Sequence, residues 1–211
     1  MTILYLIRHS IPFKEHKGIT LTSEPLLIEN EKVPLSILGE KNASIYFAQE
    51  EFKNIDTVWT SNYVRAMSTA KYLAYYNNTK VNIDTSFNER IHGVENYNEL
   101  PFNYEELQIN NEDYKIGYGE SRKEVSIRMD NAIKRLLDEY KNDRIAIVTH
   151  ATAIMFYLSL YCKTSYGGIC YFKDKVFFDG NFNYLETFKL EFDANNELIN
   201  IENIKIGEDN A

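Results

Sequence analysis

The sequence predicts an α/β protein: a mostly parallel central sheet, helices on both faces and an antiparallel edge. Three observations point there. Strand-like and helix-like segments alternate between residues 3 and 161, the pattern of crossover-connected strands. Two of the strands, "ILYLI" at 3–7 and "RIAIVT" at 144–149, are nearly continuous apolar runs, as in strands covered on both faces. The tail "TFKLEFDANNELINIENIKI" alternates apolar and polar residues on either side of Ala194-Asn195-Asn196, the signature of an antiparallel hairpin.

Taken in order, Ile3–Ile7 is a short buried strand that stops at Arg8 and His9. Residues 10–35 are polar and irregular. Leu38 to Phe52 reads as a helix with Leu38, Ala43, Ile45 and Phe47 facing inward;. Ile55–Thr60 is a second strand. Asn62 is placed to cap a helix from Tyr63 to Tyr76, whose inner face would be Val64, Met67, Ala70, Leu73 and Ala74;. Val81–Asp84 is a third strand. Residues 86–118 are polar and Tyr-rich with little periodicity, and a segment this long reads as a lid or substrate-binding insertion. Ser121 and Glu124 form a capping box. Val125, Met129, Ala132, Ile133, Leu136, Leu137 and Tyr140 then recur at helical spacing. Arg144–Thr149 is a fully buried strand, and Ala151–Tyr161 an apolar helix.

Bulk properties set limits. The 211 residues suit a single domain spanning 1–211 with a sizeable core;. Net charge is −8, from 23 basic and 31 acidic residues. An acidic surface argues against nucleic acid as a partner, because duplex binding needs a basic stripe. An anionic ligand would have to be drawn by a local positive pocket. Cys162 and Cys170 lack metal spacing and a CxxC arrangement, and read as free thiols of a reduced compartment;. The first residues lack a basic region before a long apolar stretch, so no signal peptide is expected. No run approaches the ~18 apolar residues of a membrane span. The expected location is cytoplasmic, with no membrane partner. Oligomeric state is not legible.

In an open parallel sheet, ligands bind beyond the carboxyl ends of the strands. Arg8 and His9 end the first strand, Ser61–Arg65 follows the second, and His150 ends "RIAIVT". Each alone reads as structural or surface. Together, two imidazoles and two guanidiniums on one rim suit a dianionic phosphoryl group. Arginine offers forked, permanently charged donors. A helix beginning after His150 adds the backbone N–H groups of Ala151 and Thr152. Neutral imidazole is a competent nucleophile. A zinc or di-metal site is the competing chemistry, but it needs a carboxylate-rich shell or an HExxH pair, and the sequence has neither. No metal and no cofactor are expected. His16 and His92 lie in polar loops and read as solvent-exposed.

Six segments, in order from residue 3 to residue 160, resemble the histidine phosphatase superfamily, the phosphoglycerate mutase-like family. They are "LIRHS", "VPLSILGEKNA", "VWTSNYVRAMSTAKYL", "FNERIHG", "GESRKEVSIRM" and "IAIVTHATAI". The resemblance implies a phosphoglycerate mutase-like fold. By matched position it makes His9 the nucleophile that becomes phosphorylated. Arg8 and Arg65 would clamp the phosphoryl oxygens, His150 would complete the pocket, and Glu89 would be the proton donor. The family glycines after the two histidines are Ser10 and Ala151 here. Ser10 is expected to offer its hydroxyl to the phosphate or substrate, and Ala151 to be tolerated at a helix start.

The implied activity is a metal-independent phosphomonoester hydrolase of the histidine acid-type phosphatase kind, acting on a small phosphorylated substrate. A mutase must hold a carboxylated substrate with extra cations, and residues 90–118 offer only Arg90 and Lys115. Arg90 is therefore the added candidate for substrate binding. Lys14, His16 and Lys17 read as a solvated charged loop that could face the far end of the substrate. The alternatives are mutase-type phosphoryl transfer and a non-catalytic phospholigand-binding protein of the same fold.

Overall fold

The computed structural model describes residues 1–13, 26–164 and 168–205. The charged loop with Lys14, His16 and Lys17 lies outside these residues.

Strand β1 (Thr2–Arg8) is central. The chain then forms helices α1 (Leu26–Lys32) and α2 (Ile37–Phe47), strand β2 (Thr57–Thr60), helix α3 (Val64–Asn77) and strand β3 (Val81–Ile83). After the 86–118 segment, which carries the short helix α4 (Tyr104–Asn110), come helix α5 (Arg122–Glu139), strand β4 (Arg144–Thr149) and helix α6 (Ala151–Leu158). Strands β5 (Lys163–Thr164), β6 (Cys170–Phe172) and β7 (Lys175–Phe178) make a small antiparallel sheet. Strands β8 (Thr187–Phe192) and β9 (Leu198–Ile204) complete the main one.

The main sheet has the order β3-β2-β4-β1-β8-β9. Its first four strands are parallel and the last two antiparallel, as expected. One apolar layer joins alternate residues of the sheet (Leu4, Leu6, Ile145, Ile147) to α5 and α6. The other joins Tyr5, Ile7, Val58 and Val148 to α2 and α3. Burial on both faces explains why "ILYLI" and "IAIV" are apolar at every position. Among the described residues, no helix is long and apolar enough to cross a membrane. Cys162 and Cys170 are unbridged.

Three expectations need correction. The helix predicted over Leu38–Phe52 is α2, ending at Phe47, with a separate 3₁₀ turn at Glu50–Phe52. Ser36 caps it by accepting from the Gly39 N–H. Its buried face is Gly39, Ala43 and Phe47, an i, i+4, i+8 stripe, whereas Leu38 and Ile45 are more than half exposed. A glycine at the contact decides the orientation: its missing side chain lets the helix approach the Ile11 carbonyl.

Asn62 is not the cap of α3. Tyr63 occupies that position, and the Asn62 N–H donates instead to Asn88. Ala70, Leu73 and Ala74 are buried as expected, but Val64 and Met67 are only half-buried. Arg65, Ala66 and Thr69 take the inner face, because the first turns of α3 look onto a polar site rather than the core. Finally, periodicity did not disclose α1, α4 or the β5–β7 sheet, all short elements in polar sequence.

Candidate active site

The strand register assembles the rim. Arg8 pairs with Thr149 across β1 and β4, and the His9 N–H donates to the Thr149 carbonyl at 2.9 Å. This sets His9 beside His150. Thr60 pairs with Val148 on the other flank of β4, so Ser61 and the start of α3 arrive at the same edge. The two imidazole centroids are 5.2 Å apart.

Their hydrogen bonds fix the tautomers. His9 Nδ1 lies 2.7 Å from the Ser10 carbonyl, which can only accept, so the proton sits on Nδ1. Nε2 then keeps its lone pair, and Arg65 Nε donates to it at 3.0 Å. Arg65 Nη2 reaches His150 Nδ1 at 3.2 Å. A guanidinium only donates, so His150 carries its proton on Nε2 and gives it to Ser61 Oγ, 2.8 Å away. Burial, followed by the charge of Arg65, pushes the pKa of both histidines well below the usual imidazole value. Both are therefore neutral at pH 7.

Arg65 is 6 % exposed, and its remaining fork atom donates to the Asn30 carbonyl of α1. Arg8 donates to the Phe182 carbonyl at 2.8 Å and stacks on Tyr184, 4.3 Å from the ring centre. Burial lowers the pKa of both guanidiniums, yet arginine stays charged in proteins. The result is two fixed positive charges beside a neutral imidazole.

A cleft of about 490 Å³ opens over this group. Arg8, His9, Arg65, Glu89, Arg90 and Ala151 all line it. Glu89 is held by three backbone amides: Arg90 at 2.9 Å, Ala153 at 3.0 Å and Thr152 at 3.3 Å. The amide of Thr152, which the sequence reading offered to phosphate, is thus taken by a carboxylate. The site combines a neutral imidazole, two guanidiniums and a carboxylate at one opening. Among the described residues, no group of three or more His, Cys, Asp or Glu side chains is arranged to hold a metal ion.

Four expectations change on inspection. His150 is fully buried and lies one layer behind the cleft, touching it through Arg65. Ser10 is also fully buried, and its hydroxyl donates to the Gly39 carbonyl at 2.7 Å instead of facing the cleft. Arg90 reaches the cleft wall, but Glu105 grips it with two bonds of 2.8 and 2.7 Å, and Gln108 and His92 take more of its donors. His92 is half-buried, not solvent-exposed: it accepts from Arg90 and stacks against Tyr97 and Tyr104. Burial and the Arg90 charge bring its pKa down to about 4.

Two supporting residues escaped the sequence reading. Tyr184 lines the cleft and covers Arg8. Arg128, on α5, donates to the carbonyls of Ser86 and Glu89 and pairs with Glu120, bracing the loop that carries Glu89. An arginine between Val125 and Met129 looks in sequence like any solvent-facing helix residue, so no signal marked it.

Buried neutral imidazole and paired arginines at the carboxyl ends of parallel strands define a class: α/β proteins with a positively charged cleft built around histidine. The sequence matches the histidine phosphatase superfamily (branch 1) over residues 4–173, and the chain belongs to that family. No curated protein matches the sequence. Solved structures share the fold. One is the mycobacterial glucosyl-3-phosphoglycerate phosphatase complexed with VO3, 16% identical, with 95% of this chain and 96% of that chain covered and a TM-score of 0.69. A phosphoserine phosphatase variant from Entamoeba histolytica in complex with phosphoserine is 17% identical, with 96% of this chain and 97% of that one covered and a TM-score of 0.66. A putative alpha-ribazole-5'-P phosphatase from Escherichia coli is 19% identical, with 96% of each chain covered and a TM-score of 0.65.

Proposed function

We propose that the protein is a phosphomonoester hydrolase of the histidine acid-type, working through a phosphohistidine on His9. One observation carries the reading: His9 Nε2, stripped of its proton by the Ser10 carbonyl's hold on Nδ1, meets Arg65 Nε at 3.0 Å beside an open cleft.

As the phosphoryl group enters, the Arg65 Nε–H turns from His9 Nε2 to a phosphoryl oxygen, and the Nε2 lone pair so released attacks phosphorus. The bond from phosphorus to the ester oxygen breaks, and that oxygen takes a proton through Glu89, which received it from the phosphoryl monoanion as the ester bound. Arg8 and Arg65 face the charge on the phosphoryl oxygens, the dominant contribution in phosphoryl transfer. A water then bonds to phosphorus as Glu89 takes its proton. The phosphorus–nitrogen bond breaks, its electron pair returns to His9, and inorganic phosphate leaves. His150 and Ser61 act behind Arg65 by holding its plane. The scheme needs no metal ion, so treatment with EDTA should leave turnover unchanged.

The 86–118 segment contributes Arg90, His92 and Tyr97 to the cleft and serves as the substrate-binding insertion of a single catalytic domain. Hydrolysis is favoured over mutase chemistry because Glu105 pairs with Arg90 and Glu124 with Lys115, the two cations of that segment. The test is hydrolysis of p-nitrophenyl phosphate by the wild type and by His9→Ala. Turnover that disappears in the variant is expected. Equal rates in both, or no turnover in either, would overturn the proposal, the second outcome favouring a non-catalytic phospholigand-binding protein.

A further inference from the structure

A second cavity of about 520 Å³ adjoins the phosphate cleft and shares Ala151 and Thr152 with it. It follows α6 from Ala151 to Ser159, about 12 Å of helix at ~1.5 Å per residue. Its walls are apolar, chiefly Met155, Phe156, Ile109 and Phe182. Its charged lining groups are Glu105 and Arg122. Glu105 is tied to Arg90, which itself lines the phosphate cleft, and so belongs to the junction. Arg122 also borders the surface depression beyond Ser159, at the far end. Phe182 joins the two cavities: its carbonyl holds Arg8, and the residue lines the second cavity.

We propose that this cavity takes the leaving-group half of the substrate, and that the substrate is a phosphomonoester of a carbon-rich alcohol rather than of a polyhydroxyl sugar or a charged amino acid. The proposal rests on the phosphatase reading above. With the phosphoryl group at His9 and Arg65, an ester oxygen near Glu89 has the mouth of the cavity at Ala151 and Thr152. The volume is in the range of small-molecule sites, which are mostly apolar with a few polar groups fixing orientation. The polar side chains of the lining are Thr152, Ser159, Thr164 and the two charged groups; a hydroxyl-rich leaving group carries more donors and acceptors than these few can meet and would lose much of its water uncompensated.

The test compares 2-phenylethyl phosphate with glycerol 3-phosphate. Both release primary alcohols, so the chemistry of departure is nearly matched. The expected kcat/KM is at least ~10-fold higher for the phenylethyl ester, the scale on which apolar pockets discriminate. Met155→Asp should shrink that ratio towards one. Ile109→Asp repeats the test at a position that is 63% exposed, where folding is not at stake. A wild-type ratio near one, a ratio that neither variant moves, or turnover of p-nitrophenyl phosphate but of neither alkyl ester would overturn the apolar subsite while sparing the phosphatase. Absence of His9-dependent turnover with all three esters would defeat the phosphatase reading itself.

Discussion

At the scale of single residues, a backbone carbonyl leaves His9 Nε2 without a proton, which is what the proposed nucleophile needs. Holding the proton on Nδ1 costs nothing at the moment of reaction, and burial keeps the ring neutral. Arg65 is the hub: separate donors of one guanidinium touch both histidines. Lysine carries the charge but not the fork. Arg65→Lys should therefore lower kcat for p-nitrophenyl phosphate by ~10²–10³-fold, the usual loss for one preorganised donor. A steady-state assay checks it, and a change of less than threefold would show that charge alone suffices. Glu89→Gln should cost ~10²–10⁴-fold, the typical contribution of a general acid, with the larger loss for alkyl esters, whose alkoxides need the proton more than nitrophenolate does. The strand-end residues Arg8, His9, Arg65 and His150 were legible because topology alone brings them to one rim. The engagement of Arg90 by Glu105 and of Ser10 by Gly39 was not, since both depend on which side chain a loop happens to offer.

Elements matter through what they hold still. Helix α2 lies so close to the loop after His9 that a side chain at Gly39 would meet the Ile11 carbonyl at 2.1 Å. That carbonyl also accepts from Ser36. Gly39→Ala should then cost about 1–3 kcal/mol of stability, as overpacking does, and depress kcat by shifting Ser10 and His9. Urea denaturation read beside activity checks both effects, and normal values of each would deny the coupling. Helix α5 plays a similar part for Glu89 through Arg128. Long elements with a clean apolar pattern were readable: β1, β4, α5 with its capping box, and the β8–β9 hairpin. Helix α2 was misread by one face because the contact uses glycine and alanine, which carry little hydrophobic signal, while the exposed Leu38 and Ile45 carry more. Seven-residue helices and two- to four-residue strands such as α1, α4 and β5–β7 are too short to show a period.

Across the whole molecule, the same burial that readies the site ties stability to pH. His9, His92 and His150 have native pKa values below the ordinary imidazole value near 6.5. As pH falls through ~6.5, the unfolded chain takes up protons that these three decline, so unfolding is favoured. Each contributes a slope approaching ~1.4 kcal/mol per pH unit until its native pKa is reached. The urea midpoint should hold above pH 7.5 and fall steadily from there to pH 5, before the carboxylates begin to titrate. A flat midpoint over that interval would mean that the imidazoles are not held neutral. The central claim, that phosphorus is carried on His9, is tested most directly by chemical trapping. Enzyme turning over p-nitrophenyl phosphate is quenched in alkali, where phosphohistidine survives, and its peptides are mapped by mass spectrometry. The account predicts one acid-labile phosphoryl group on the peptide containing His9, absent from His9→Ala. A label on any other residue, or turnover that persists in His9→Ala, would contradict it.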